Sequence, residues 1–397
     1  MKGSLTALAV LASLVAPPAA AHATSAAAPT PTALAAHDAA LPAAPAALPN
    51  APAALGAAPA APAALGAAPA APAALGAAPA APAAVGTAPA GALAADASYR
   101  TLGSASHPDW MRSLPDSTGL SALSIPGTHN SMSIHGGALT QTQENFGDSA
   151  ATLARQLDAG IRMIDIRARV NGGNTFTIHH GAVYQNANFG DVLNALRAFL
   201  SAHPGETVVM RLKQECTGEI GSCTDVSGQK SFPDIFDSYV SSLFWQPSVT
   251  RGAAAATPTL GAVRGKVVLA VLHGAHGSPI EHYGLTQFEQ WRNGSSTYVQ
   301  DNYSVPNVGA IATKRDQVRR HLDATSAGEV AKMYVNFGSG SSIFAQPHQV
   351  AGGAFGVQGV DPFLLVYLNE GHGLTRTGMV MLDFPGGGLI DKIISYN

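Results

Sequence analysis

The chain of 397 residues carries 22 Lys+Arg against 25 Asp+Glu and two cysteines, with a net charge near −3 at neutral pH. That balance lacks the basic excess on which nucleic-acid binding depends, and the length exceeds what one ordinary domain needs. The charges are also unevenly spread, because only Lys2, Asp38 and Asp96 precede residue 98.

Residues 1–23 read as a secretory signal peptide. Lys2 supplies a positive start, residues 5–15 an apolar core too short to span a bilayer, and Ala21-His22-Ala23 a small-x-small cleavage pattern. Residues 24–97 form a low-complexity linker. A ten-residue unit, Ala-Pro-Ala-Ala-Leu-Gly-Ala-Ala-Pro-Ala, starts at Ala51, Ala61 and Ala71 and returns at Ala81 with Val85 and Thr87 altered. Its leucines are too sparse for a core and its prolines block continuous helix, so a disordered, extended spacer is expected. Outside this tract no later apolar run without charges is long enough for a membrane helix. The expected location is extracellular, free or held at the cell wall.

Residues 98–397 have the composition of a folded domain. Strand-like runs at 120–125, 162–167, 175–179, 207–212, 267–272, 297–300, 332–336 and 378–384 alternate with helix-like patterns at 148–159, 191–202, 234–243 and 310–324. Some of these helices open on an Asp in the N-cap position. Eight strands alternating with helices predict an α/β fold, a single distorted (β/α)8 TIM-type barrel. A doubly wound sheet is the alternative, but no Gly-rich phosphate loop follows the first strand. Cys216 and Cys223 flank a loop with two glycines. In an exported protein this predicts a local disulfide, with two free thiols as the alternative.

Three segments concentrate the chemistry: Ser124-Ile125-Pro126-Gly127-Thr128-His129-Asn130-Ser131, Gly160-Ile161-Arg162-Met163-Ile164-Asp165-Ile166-Arg167, and Ile178-His179-His180-Gly181. Each is an apolar run ending in His, Arg or Asp, and a parallel barrel builds its active site at the C-terminal strand ends. A His, an Arg and a second His around one mouth suit metal-free acid–base cleavage of a phosphodiester. His179 alternates with His180 along a strand and so faces the other way, as a structural residue.

These residues make 98–397 resemble the bacterial phosphatidylinositol-specific phospholipases C. The resemblance extends over Trp110-Met111-x-x-Leu114-Pro115-Asp116, Asp165-x-Arg167, His179-His180-Gly181, Lys213-x-Glu215, Val299-Gln300-Asp301-x-Tyr303 and Asp383. It implies conversion of phosphatidylinositol to diacylglycerol and inositol 1,2-cyclic phosphate, with no cofactor. It also implies that His129 is the general base, His180 the general acid and Asp383 the residue that orients His129. Arg167, with Asp165 beside it, would bind the phosphate oxygens. Lys213, Asp301 and Tyr303 match positions that contact the inositol ring, through its hydroxyls or by stacking, and Asn130 falls in the same substrate site.

The chain departs from the family twice. The bacterial enzymes carry an Asp after the first catalytic His, where it supports the general acid; here Asn130 stands, and a neutral amide supports His180 less. Eukaryotic relatives have Asn there as a calcium ligand, but Arg167 takes another of their ligand positions, so no metal is expected. The family Arg after the fifth strand is replaced by His273, which implies either a substitute contact or another headgroup.

A lipid substrate implies a monomer working peripherally on a phosphatidylinositol-containing membrane surface. Ile343, Phe344 and Phe355, after the seventh strand, and Trp110 are the apolar candidates for touching it. The rival readings are a related phosphodiesterase with another lipid headgroup, a calcium-dependent one, and a non-catalytic lipid- or sugar-binding barrel. The last should have lost one of His129, Arg167, His180 and Asp383, and all four are present.

Overall fold

The computed structural model describes residues 97–215, 228–280, 283–292 and 295–397. The chain parts into two units, Met1–Ala81 and Pro82–Asn397. The first, with the expected signal segment 1–23 and most of the repeat, lies outside the described residues, as do Cys216 and Cys223.

In chain order the strands are β1 (Ile125–Thr128), β2 (Met163–Val170), β3 (Phe176–His180), β4 (Val183–Asn188), β5 (Val208–Gln214), β6 (Val267–His273), β7 (Ser295–Ser296), β8 (Val299–Gln300), β9 (Val335–Phe337), β10 (Gly353–Ala354), β11 (Val357–Gln358) and β12 (Met379–Leu382). Seven of them run parallel in the order β8, β9, β12, β1, β2, β5, β6. This is the distorted TIM-type barrel. Among the described residues no strand pairing joins β6 to β8, so the barrel is open there. The buried rings of Phe288 and Trp291 lie at this side, with Trp291 against both His273 of β6 and Phe337 of β9.

Two expected strands differ in kind in the structure. The run at 120–125 is not the first strand: Leu120–Ala122 is a 3-10 turn and β1 starts at Ile125. Leu120 and Leu123, three residues apart, both bury in the interior cluster, which matches the 3-10 period rather than strand alternation. The run at 175–179 is β3, an antiparallel strand rather than a barrel strand. With β4 it forms a hairpin that pairs with the last three residues of β2, while β1 takes the first two. The polar stretch of β4 carries little strand signal and becomes a strand through this pairing.

The main helices are α1 (Ser149–Ala159), α2 (Phe189–Ala202), α3 (Phe232–Asp237), α4 (Ile311–Ala327), α5 (Val360–Glu370) and α6 (Gly387–Ile394). Asp148 caps α1 through the Ala151 N–H, 2.8 Å away, and Gly160 ends it at φ 116°. α2 starts before Asp191, because Asn188 is the cap and Asp191 closes a capping box onto the Asn188 N–H. α3 is shorter than 234–243; Ser231 caps it and it ends at Asp237.

Period-two alternation explains how the site is positioned. Along β1 the inward positions are Ile125, Gly127 and then His129; along β2, Met163, Asp165 and Arg167; along β5, Val209, Arg211 and Lys213; along β12, Met379, Met381 and Asp383. The lower members form the interior core, and the upper ones open into a cleft. A Cβ on Gly127 would meet Met381 Sδ and the Met163 carbonyl at under 3 Å, so only glycine lets β1 lie this close to β2 and β12. The outward members pack under the helices, Ile164, Ile166, Met210 and Leu212 against α1 and α2, Val380 and Leu382 against α4, α5 and α6.

A buried ion pair secures the opposite end of the barrel. Arg162 and Glu206 are both fully buried, with Nε 2.9 Å from Oε2. Arg162 also donates to the carbonyls of Leu157, Ile161, His107 and Pro108. Removing one partner strands a buried charge. Glu206→Leu should therefore lower unfolding free energy by about 3–5 kcal/mol in urea titrations, whereas Leu at both positions should recover part of that loss.

Candidate active site

The cleft at the C-terminal strand ends has a volume of about 540 Å³. His129, Asn130, Arg167, His180, Lys213, Asp301, Tyr303 and Asp383 all line it. Asp165 lies beneath them, fully buried. All nine residues singled out from the sequence therefore converge here.

His129 directly follows β1, and its Nδ1 lies 3.0 Å from Asp383 Oδ1. A carboxylate partner fixes the Nδ1–H tautomer and leaves Nε2 free to accept a proton. That Nε2 is 4.0 Å from Asp165 Oδ2. Burial pushes the Asp383 carboxyl above its usual range, with His129 opposing the rise. The His129 carbonyl is itself held by the Gln143 amide at 2.6 Å.

His180 ends β3. Its Nδ1 is 2.5 Å from the Thr140 carbonyl and 3.1 Å from Ser133 Oγ. The carbonyl can only accept, so Nδ1 carries the proton and Nε2 is the free ring nitrogen. Burial pushes the His180 pKa down to about 4; Glu215 and the Thr140 carbonyl pull it up, while Arg167 and His129 add to the fall. Its neighbour His179 is buried with its ring against Tyr184 and does not line the cleft.

Arg167 donates through Nε and Nη2 to Asp165, at 3.1 and 2.9 Å, and through Nη1 to Glu215 at 3.3 Å. Against a large burial penalty, these two carboxylates hold the guanidinium firmly charged. Asp165 stays ionised for the converse reason: burial opposes its charge, but Arg167 and Arg211 outweigh it and hold the carboxyl below its ordinary range. Asp165 Oδ2 also accepts from the Asn130 N–H at 3.2 Å, where the chain turns at φ 43°. The Asn130 Oδ1 is buried and has no hydrogen-bond partner. Burial, reinforced by Arg167, lowers the Lys213 pKa to about 8.

Arg211 was not foreseen and shapes the cleft floor. Its guanidinium stacks on Trp291 at 4.5 Å, and Nη1 lies 3.7 Å from Asp301. Its Nε donates to His273 Nδ1 at 3.0 Å. His273 is fully buried, also bonded to the Trp291 carbonyl, and absent from the cleft lining. It therefore positions Arg211 and is no substitute headgroup contact. Only the strand period could have flagged Arg211, since it lies two residues before Lys213 on one face of β5.

Trp110 is also placed differently from expectation. Its indole N–H bonds the Gly160 carbonyl, before β2, and its ring lies near Arg162, at the end of the barrel away from the cleft. Ile343 and Phe344 are 70% exposed and Phe355 is 90% exposed. They follow β9 in the same stretch as the cleft-lining Gly340, Ser341 and Pro347. Among the described residues no group of three or more His, Cys, Asp or Glu is arranged to hold a metal ion.

Comparison with known proteins fits this arrangement. Residues 123–272 match the family described as phosphatidylinositol-specific phospholipase C, X domain. A 1-phosphatidylinositol phosphodiesterase of Listeria monocytogenes is 32% identical over 296 residues, covering 72% of this chain and 84% of that protein. The chain belongs to the bacterial phosphatidylinositol-specific phospholipase C family. A Staphylococcus aureus 1-phosphatidylinositol phosphodiesterase is 29% identical over 303 residues, covering 71% of this chain and 90% of that protein. The solved structure of the Listeria phospholipase C aligns with a TM-score of 0.55 at 31% identity, covering 74% of this chain and 99% of that one. This phospholipase C is thus an enzyme of phosphoric diester cleavage on a distorted TIM-type barrel.

Asp165 makes acid stability of the phospholipase predictable. Its folded pKa lies below the unfolded value of about 3.9. The stability it contributes is fully present above that unfolded pKa and is lost as pH falls below it, towards the folded value. Asp165→Asn should cost about 3–5 kcal/mol at pH 7, because Arg167 and Arg211 lose their shared counter-charge. The variant should also lose less further stability than the parent between pH 5 and pH 3, read by urea unfolding at each pH.

Proposed function

We propose that the protein is a secreted phospholipase C that cleaves phosphatidylinositol to diacylglycerol and inositol 1,2-cyclic phosphate. The observation that carries this reading is a pair of histidines on one cleft, each anchored through Nδ1 with Nε2 left free, with the Arg167 guanidinium in the same lining. His129 Nε2 takes the proton of the inositol 2-hydroxyl as its oxygen attacks phosphorus. The bond from phosphorus to the diacylglycerol oxygen breaks, and that oxygen takes the proton carried by His180 Nε2. The proton count closes with His129 charged and His180 neutral.

Arg167 bears the negative charge that grows on the phosphorane oxygens, and Asp165 keeps its fork fixed and ionised. Asp383 stabilises the imidazolium that forms on His129. Lys213, Asp301 and Tyr303 receive the inositol ring, and Asn130 offers an amide to the substrate beside the two histidines. The reaction needs no metal in this reading, since Asp165 and Glu215 are already bonded to a guanidinium. The enzyme works as a monomer on a membrane surface, with Ile343, Phe344 and Phe355 against the lipid. Export by residues 1–23, a repeat spacer at the cell wall and a Cys216–Cys223 disulfide complete the proposal.

Phosphorus NMR of the enzyme with phosphatidylinositol micelles and excess EDTA should show the cyclic phosphate. Product that appears only with added calcium would overturn the metal-free route. His129→Ala and His180→Ala should each lower kcat by about 10²–10⁴; wild-type rates in both would reject the mechanism. Phe344→Ser with Phe355→Ser should weaken sedimentation with phosphatidylinositol vesicles and leave turnover of a short-chain monomeric substrate unchanged.

A further inference from the structure

Glu215 has no part in the steps above, yet both of its carboxylate oxygens are engaged beside the cleft. It directly follows β5, and its backbone N–H is fixed on the Ala168 carbonyl of β2 at 2.7 Å. Its side chain is 10% exposed. Oε1 accepts from the Gly181 N–H at 2.9 Å, and Oε2 from Arg167 Nη1 at 3.3 Å. Gly181 is the residue after His180 and turns at φ 57°, in the left-handed region. Glu215 therefore ties the end of the strand that carries His180 to the guanidinium in the same cleft.

The charges around His180 come from three strand ends. Arg167 on β2 and His129 after β1 both disfavour a second positive charge, and Glu215 after β5 is the one carboxylate among its strongest influences. Its direct ring partners, the Thr140 carbonyl and Ser133 Oγ, are neutral. Lys213, two residues before Glu215, favours the charged form of the Glu215 carboxylate. Asn130, which stands where the bacterial enzymes place an acid, contributes no charge at all.

We propose that Glu215 is the positioning residue for the general acid, supplying from β5 the negative charge that the residue after the catalytic base does not supply here. The inference rests on His180 being the acid. Glu215 holds the Gly181 turn and with it the presentation of the ring, and its charge favours the protonated imidazole that must deliver the leaving-group proton. Because burial opposes that protonation, the loss of a nearby carboxylate is felt directly in the fraction of enzyme ready to act.

The test is a pair of titrations on Glu215→Gln. Proton NMR of the His180 ring follows its pKa without reference to activity, and the pH profile of kcat reads the same group during turnover. The variant should lower the His180 pKa by about one unit and move the alkaline limb of the profile to lower pH by a similar amount, with KM little changed. Glu215→Asp should fall between the two.

An unmoved His180 titration in folded Glu215→Gln overturns the proposal. So does a uniform fall in kcat at every pH, which would mean that Glu215 acts only through Arg167. A shifted NMR titration with no change in the kcat profile would instead reject His180 as the acid. Should Glu215→Gln fail to fold, Asn130→Asp serves: its added carboxylate should raise the His180 pKa and move the limb to higher pH. No shift there would show that a nearby carboxylate does not control this histidine.

Discussion

A single buried carboxylate organises the mouth of this barrel. Asp165 is fully buried, and it remains ionised because Arg167 grips it through two nitrogens while Arg211 stands 3.8 Å away. In turn it keeps two guanidinium groups charged in a place where burial would otherwise oppose them. It also accepts the Asn130 N–H and so sets the turn that delivers His129 from the end of β1. The setting of Arg167, the placement of His129 and the ionic balance of the floor all pass through these two oxygens.

Much of this was legible in the sequence. Period-two alternation on β2, β5 and β12 foretells that Asp165, Arg167, Lys213 and Asp383 share one interior, and apolar residues below them foretell a packed floor. Asp165 and Arg167 lie within β2 on its inward face, and the other expected residues lie at or just after the ends of β1, β3, β5, β8 and β12. What was not legible has physical reasons. The β3–β4 hairpin depends on pairing with β2, and the polar β4 has no alternation to announce it. The start of β1 was misplaced because Leu120 and Leu123 mimic a strand while packing with a 3-10 period. The role of His273 turns on Trp291, which is distant in sequence and fills the open side of the barrel.

The two departures from the family pattern have different structural outcomes. At His273 a buried ring stands, and the cleft holds a second guanidinium from β5, with Arg211 held between His273 and the face of Trp291. At Asn130 the lost charge has no replacement on the same strand end. In the role proposed for it, the Glu215 carboxylate compensates from across the barrel mouth.

The hairpin on β2 gives this catalytic centre an unusual division of labour. His129 and Asp383 follow adjacent parallel strands of the frame, whereas His180 rides on a hairpin whose ladder joins the frame only at the last residues of β2. In the proposed mechanism, nucleophile activation is thus built into the parallel frame and leaving-group protonation into an appendage. A lengthened or shortened hairpin could re-aim the proton donor towards bulkier or smaller leaving groups without disturbing the half that makes the new phosphorus–oxygen bond.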